Sequence, residues 1–219
     1  MADYIGIKGI SIPTISSDPS NPVVGQVWYN SSSKVLKGYG RLGAGAWSAG
    51  GNLNTGRSDF AGAGITTAAI TFGGTKPGVP NSYDITESYN GTAWTEVGDL
   101  NTERAFMAGI GIQTAALSVG GLAGPPPREA VTELYNGTAW TEVGDLNTAR
   151  RNMGSCGTTT AALVTGGGPP DLAVTETYNG TAWTEVADLN TARLSSAGAQ
   201  KGTTTAALVH SSVIVPGVC

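Results

Sequence analysis

The chain holds few of the groups from which enzyme sites are usually assembled. Its 219 residues include one histidine, His210, two cysteines, Cys156 and Cys219, and only 13% charged residues. His210 stands beside Ser211 and Ser212, but there is no Gly-x-Ser-x-Gly elbow, no His/Cys metal spacing and no phosphate loop. No catalytic residue, metal ligand or cofactor is therefore expected. The balance of 12 Lys and Arg against 16 Asp and Glu gives a net charge of −4, with no basic cluster. That argues against nucleic acid as a partner, because phosphate binding needs a positive patch. No segment approaches the ~20 apolar residues of a membrane span, so membrane insertion is not expected. Met1 to Lys8 lacks a basic region followed by a long apolar run, so no secretory signal is expected either. Helices are not expected, since no window sustains a helical stripe.

What the chain does have is repetition. Trp, Leu-Asn-Thr, Arg, a Gly/Ala-rich segment, an Ala-Ala pair and, in three copies, Gly-Gly recur in a fixed register. Trp47 to Arg57, Trp94 to Arg104, Trp140 to Arg150 and Trp183 to Arg193 each span 10 residues. Arg57 to Gly73, Arg104 to Gly120 and Arg150 to Gly166 each span 16, whereas Arg193 to Ser211 spans 18. Periods of this size mark stacked or ringed supersecondary units. Cys156, read against the small residues Gly62 and Gly109 of other copies, is expected to be a small packed residue.

One unit reads as a four-stranded antiparallel meander. In the third copy, small residues from Arg150 to Gly157 give way to Thr158 to Val164, which predicts two strands and a turn at 157–159. A Pro/Gly loop, 168–171, precedes Ala173 to Tyr178, which alternates in the strand period. Asn179-Gly180 then predicts a type I′ hairpin into Thr181 to Val186. A sheet this small must stack on its neighbours, with Trp and Tyr supplying bulk and the Ala/Gly strand the narrow side, which is the taper of a propeller blade. The fourth copy stops after half a unit, Arg193 to Ser212, and Val35 to Tyr39 with Ala46-Trp47 supply the other half. The fold expected is all-β, a small β-propeller of about four blades of four antiparallel strands, closed by N- and C-terminal strands sharing one blade. That closure could occur within one chain or between copies in a homo-oligomer.

The order of Gly-Gly (Gly73-Gly74, Gly120-Gly121, Gly166-Gly167), Tyr (Tyr89, Tyr135, Tyr178) and Trp (Trp94, Trp140, Trp183) resembles the kelch repeat across roughly residues 35 to 212. The fourth copy has Ser211-Ser212 in place of the Gly pair, and Tyr39 lies eight residues before Trp47 instead of five. Residues 1–34 differ in kind. Asp18-Pro-Ser-Asn-Pro, then Gln26-Val-Trp-Tyr-Asn30 and a Lys-rich return, looks like a module at the start of bacteriophage tail and other virion proteins. The Tyr-Asn-Gly-Thr-Ala-Trp-Thr-Glu repeats are also similar to those of phage proteins of aquatic bacteria. The division expected is a virion-docking segment, 1–34, and a kelch-like propeller, 35–219.

The resemblance implies a structural protein of the tail, a fibre or the head exterior. It would be made in the host cytoplasm and carried on the virion, with other virion proteins and a host cell-surface glycan or protein as partners. A carbohydrate-binding kelch lectin is the alternative, and a polysaccharide-degrading enzyme the third. Arg57, Arg104, Arg150 and Arg193, with Glu87, Glu133 and Glu176, recur once per unit and read as frame residues, capping turns or bridging adjacent sheets. Asp99, Asp145 and Asp188 read as turn residues. The varying loops, 75–83, 122–128 and 168–171, are stiffened by proline, and Lys76, Tyr83, Arg128 and Asp171 are the binding candidates on them.

Overall fold

The computed structural model describes residues 12–21, 23, 25–38, 50–78, 81–124, 128–194, 196–198 and 203–211. The chain divides into two compact units, Met1–Ala49 and Gly50–Cys219.

The first unit holds a three-stranded sheet in the order β1 (Thr14–Ile15), β2 (Val27–Asn30) and β3 (Val35–Gly38). β1 runs parallel to β2, and β2 and β3 form a hairpin in which Trp28 opposes Lys37. One carboxylate organises it. Asp18 accepts hydrogen bonds from Lys37 Nζ (2.7 Å), Asn30 Nδ2 (2.8 Å) and Trp28 Nε1 (3.0 Å). These bonds, Lys37 foremost, lower its pKa from 3.8 to about 2. A carboxyl whose folded pKa is depressed stabilises the fold above its unfolded pKa, and that contribution is lost as pH falls through the folded value. The Trp28 indole N–H resonance is therefore expected to titrate with a midpoint near the depressed value of about 2. Asp18→Asn should abolish the titration, and a midpoint near 3.8 would show that the three donors do not converge in solution.

The sequence predicts a boundary after Lys34 and assigns Val35 onward to the repeats. The structure pairs Val35–Gly38 with Val27–Asn30, as the Lys-rich return expected of the first segment, and not with a strand of the repeats. The four-residue turn 31–34 closes this local hairpin, and local closure costs less chain entropy than pairing with a strand far along the sequence.

The second unit contains three four-stranded antiparallel meanders. The first sheet is β4 (Ala61–Ile65), β5 (Ala68–Phe72), β6 (Thr86–Tyr89) and β7 (Trp94–Glu96). The second is β8 (Ala108–Ile112), β9 (Ala115–Leu122), β10 (Arg128–Tyr135) and β11 (Trp140–Glu142). The third is β12 (Gly154–Thr158), β13 (Ala161–Thr165), β14 (Thr175–Tyr178) and β15 (Trp183–Glu185). The fourth copy forms a two-stranded sheet of β16 (Ser196–Gly198) and β17 (Val209–Ser211). The fold is thus all-β, with no helix among the described residues. Among those residues β16 and β17 pair only with each other, and strand pairing closes no ring. Val35–Gly38, expected in this fourth sheet, is already paired elsewhere, and Tyr39 and Trp47 lie outside the described residues.

The core lies between consecutive sheets. Ala61, Ala63, Ile70 and Phe72 of the first sheet cluster with Met107, Ala116, Tyr135 and Trp140 of the second. Ile110, Leu117 and Val119 of the second cluster with Met153, Val164, Tyr178 and Trp183 of the third. The small residues of the leading strands follow from their closeness. A Cβ at Gly109 would lie 2.6 Å from Gly62 O, and one at Gly198 would strike the Ser155 backbone. Ser155 holds that row in the third sheet; Cys156, only 1% exposed, stands one residue further on, in register with Ala63 and Ile110 and not with Gly62 and Gly109, and burial pushes its thiol pKa up.

Two turns differ from expectation. The β12–β13 turn is Thr159-Thr160, since Thr158 pairs with Ala161. The Asn-Gly loops are not two-residue type I′ turns, because Tyr178 pairs with Trp183, leaving four residues between them. Gly91, Gly137 and Gly180 have φ of 94°, 97° and 94°, while none of the preceding Asn residues has positive φ. The Asn side chain closes the loop instead. Asn136 Oδ1 accepts from Thr138 N (3.0 Å) and Ala139 N (2.9 Å), and Asn90 and Asn179 do the same. Such Asx turns use the carbonyl oxygen and not the amide nitrogen. Asn136→Ala should cost about 1 kcal/mol and Asn136→Asp far less, read from urea midpoints. Equal losses would mean that the oxygen is not the holding group.

Candidate binding face

The repeated Arg, Glu and Asp residues make contacts within and between the sheets. Arg104, fully buried, donates to Glu133 Oε1 (2.6 Å), Val131 O (2.6 Å) and Gly120 O (3.2 Å). Arg57 and Glu87 meet at 3.3 Å, and Arg150 and Glu176 at 3.2 Å, again with side chains wholly buried. Burial lowers the pKa of all three guanidinium groups, and the facing Glu opposes that shift. Each pair lies within one repeat, joining the segment before the leading strand to the third strand. The same Glu takes the connector arriving from the preceding sheet, as Glu133 accepts from Asn101 N and Nδ2, both at 2.8 Å. Asp99 ties that connector back by accepting from Thr86 N (2.9 Å), and Asp145 and Asp188 serve Thr132 N and Thr175 N.

The Gly pairs have a geometric cause. Gly73 and Gly74 have φ of 65° and 113°, a region closed to most side chains. Gly74 N donates to Arg104 O of the next repeat (2.9 Å), Gly121 N to Arg150 O (3.0 Å) and Gly167 N to Arg193 O (2.8 Å). Gly120 and Gly166 share the first position, with φ of 60° and 69°. The aromatic residues also reach across, since Trp140 Nε1 donates to Thr86 Oγ1 and Trp183 Nε1 to Thr132 Oγ1, each at 3.0 Å.

The four predicted binding residues do not all meet. Lys76 Nζ lies 5.0 Å from the centre of the Tyr83 ring and 3.9 Å from Glu103 Oε2. Arg128 is half-buried at the start of β10 opposite Leu122, and Asp171 is exposed on its own loop. Among the described residues no hydrogen bond, ion pair or cation–π contact joins Arg128 or Asp171 to the Lys76–Tyr83 pair. At the opposite end of the strands, Ile65 and Ile112, 54% and 52% exposed, line a hollow of about 220 Å³ with Ala68 and Gln113. Gln113 Nε2 is already engaged there by Ser88 Oγ and Tyr89 O.

A better-built row lies beside the leading strands. Two residues after Arg57, Arg104 and Arg150, the backbone turns into the left-handed region, at Asp59 (φ 55°), Phe106 (φ 60°) and Asn152 (φ 57°). These turns are linked head to tail, Phe106 N donating to Asp59 O and Asn152 N to Phe106 O, both at 2.9 Å. Asp and Asn suit that conformation, whereas for a Phe it costs about 1–2 kcal/mol. The Arg151 guanidinium stands 5.0 Å from the centre of the Phe106 ring. Asp59 Oδ2 accepts from Thr75 Oγ1 (2.9 Å) and Ser58 Oγ (3.1 Å). Asp59 is exposed, and Phe106, Arg151 and Asn152 are partly so. None of the four is singled out by sequence reasoning. The available signal is that Asp59, Phe106, Asn152 and Ser195 share a register within an otherwise constant frame, yet differ in chemistry. No group of three or more His, Cys, Asp or Glu suited to hold a metal occurs among the described residues. A search against protein-family models and one against curated proteins find no match to this chain.

Proposed function

We propose that this chain is a non-enzymatic structural component of a bacteriophage particle, with its first segment docking on other virion proteins and its repeats displayed outward toward the host surface. The observation that supports this most is the pairing of two differently built parts in one chain. The first carries the Asp18, Trp28, Asn30 and Lys37 hub, formed by the residues through which the segment resembles a virion module. The second is a rigid frame of buried Arg–Glu pairs and Gly pairs from which Pro-bearing loops of differing sequence emerge. A constant frame with variable loops suits recognition at low ordering cost.

In this reading the repeats close into a small kelch-like propeller. With Val35–Gly38 kept in its own hairpin, the segment around Trp47 adds to the sheet begun by Arg193 to Ser212, in one chain or between two copies. The support is the register, since Trp47 stands as far from Arg57 as each later Trp from its Arg. Gold-labelled antibody on purified particles tests the assignment. Label at a fixed place on the particle is expected, and protein found only free in the lysate would overturn it. A carbohydrate-binding role is favoured by one specific feature, the row around Phe106, and is compatible with display on a particle.

A further inference from the structure

We propose that Asp59, Phe106, Arg151 and Asn152 form a binding site for a saccharide that bears a carboxylate. The row is assembled from three consecutive repeats by the hydrogen bonds Phe106 N to Asp59 O and Asn152 N to Phe106 O. The frame repeats there, but the side chains do not: a carboxylate, an aromatic ring and an amide occupy equivalent turns. Frame positions with buried side chains, such as Arg57, Arg104 and Arg150, keep their residue, whereas this position keeps its backbone, changes its chemistry and stays at least partly exposed, which leaves it open to recognition.

Phe106 carries the inference. An aromatic residue at φ 60° is strained, and the turn would be satisfied by the Asp and Asn of its neighbours. Strain retained at a partly exposed side chain points to a use for that side chain. The ring offers an apolar surface to the C–H face of a pyranose. Asp59, held by Thr75 and Ser58, accepts from sugar hydroxyls, and the Asn152 amide both donates and accepts. Arg151 supplies the charge. Its guanidinium is placed against the ring, its Nε is buried without a partner, and a planar fork of donors matches a carboxylate. A uronic acid unit presents these complements together. The proposal deepens the display reading by naming a ligand class, and rests on it only for where the ligand is met.

Isothermal calorimetry on the full chain, with oligomers of galacturonic acid and of galactose as probes, tests it. The uronate oligomers are expected to bind at least about tenfold more tightly than the neutral ones, and Arg151→Gln should remove that preference. Phe106→Asn should weaken uronate binding about tenfold or more while raising the urea midpoint, a combination that a merely structural Phe would not give. Phe106→Tyr should retain binding. Absence of uronate binding, equal affinity for both series, or binding indifferent to Arg151→Gln and Phe106→Asn would overturn the proposal. Particle labelling is a separate measurement, so the display reading and the saccharide site can fail independently.

Discussion

Glu133→Ala is expected to cost about 3–5 kcal/mol, because it leaves the Arg104 guanidinium charged, buried and without its counter-charge. Both side chains are wholly inaccessible and their ion pair is 2.6 Å long. The carboxylate also receives Asn101 N and Nδ2, so its loss frees the connector entering the second sheet as well as the Arg. Against a total stability of ~5–15 kcal/mol for a domain, a loss of that size would leave the second unit close to unfolding. Urea denaturation followed by near-ultraviolet circular dichroism reads it directly, and a cost below about 1 kcal/mol would mean that water reaches the pair in solution.

A second measurement separates the charge from the packing. Replacing both partners, Arg104→Met with Glu133→Leu, removes the uncompensated charge along with the attraction, and such exchanges of buried pairs are often close to neutral. The double variant should therefore be more stable than Glu133→Ala alone, although the lost bonds to Val131 O, Gly120 O and Asn101 keep it below the parent chain. The equivalent Glu87→Ala should cost less. Arg57 and Glu87 are 3.3 Å apart, against 2.6 Å for Arg104 and Glu133, so less attraction is lost.

Much of this frame is legible in the sequence, because its strictest demands fall on single residues. A backbone at positive φ pressed against the next repeat's carbonyl admits little but Gly, so Gly73-Gly74 and its copies mark the register unambiguously. Trp and Tyr mark the intersheet core for a similar reason, since only large side chains fill it. Asn-Gly is less decisive. The dipeptide suits a type I′ turn and an Asx-closed four-residue loop equally well, and only the pairing of Tyr178 with Trp183 separates them. The boundary after Lys34 has the same origin: Val35-Leu-Lys-Gly matches by pattern both an outer strand of the repeats and the Lys-rich return of the first segment, and the choice of the local hairpin is a matter of chain entropy. The row at Asp59, Phe106 and Asn152 is missed because a search for repetition discards positions that vary, although variation on a fixed turn is what marks it.

Trp140→Ala is expected to cost about 3–5 kcal/mol, the range for removing a buried aromatic side chain and leaving a cavity. The indole is 5% exposed and lies between the first two sheets, 4.8 Å from Phe72 edge to face and 5.1 Å from Tyr135. Thr86→Val isolates its polar share, because it strands the indole N–H in the core and should cost about 1–3 kcal/mol. Trp94 is the informative comparison. It occupies the same place in the first sheet and packs on Tyr89 at 4.9 Å, but it is only half-buried and its N–H goes to Gly51 O instead of a threonine. Trp94→Ala should therefore cost roughly half as much as Trp140→Ala, since the cost follows the area withdrawn from water. If the two losses were equal, a further sheet would have to cover Trp94 in solution. A midpoint that rose with protein concentration would then identify that sheet as part of a second copy, and one independent of concentration would place it in the same chain.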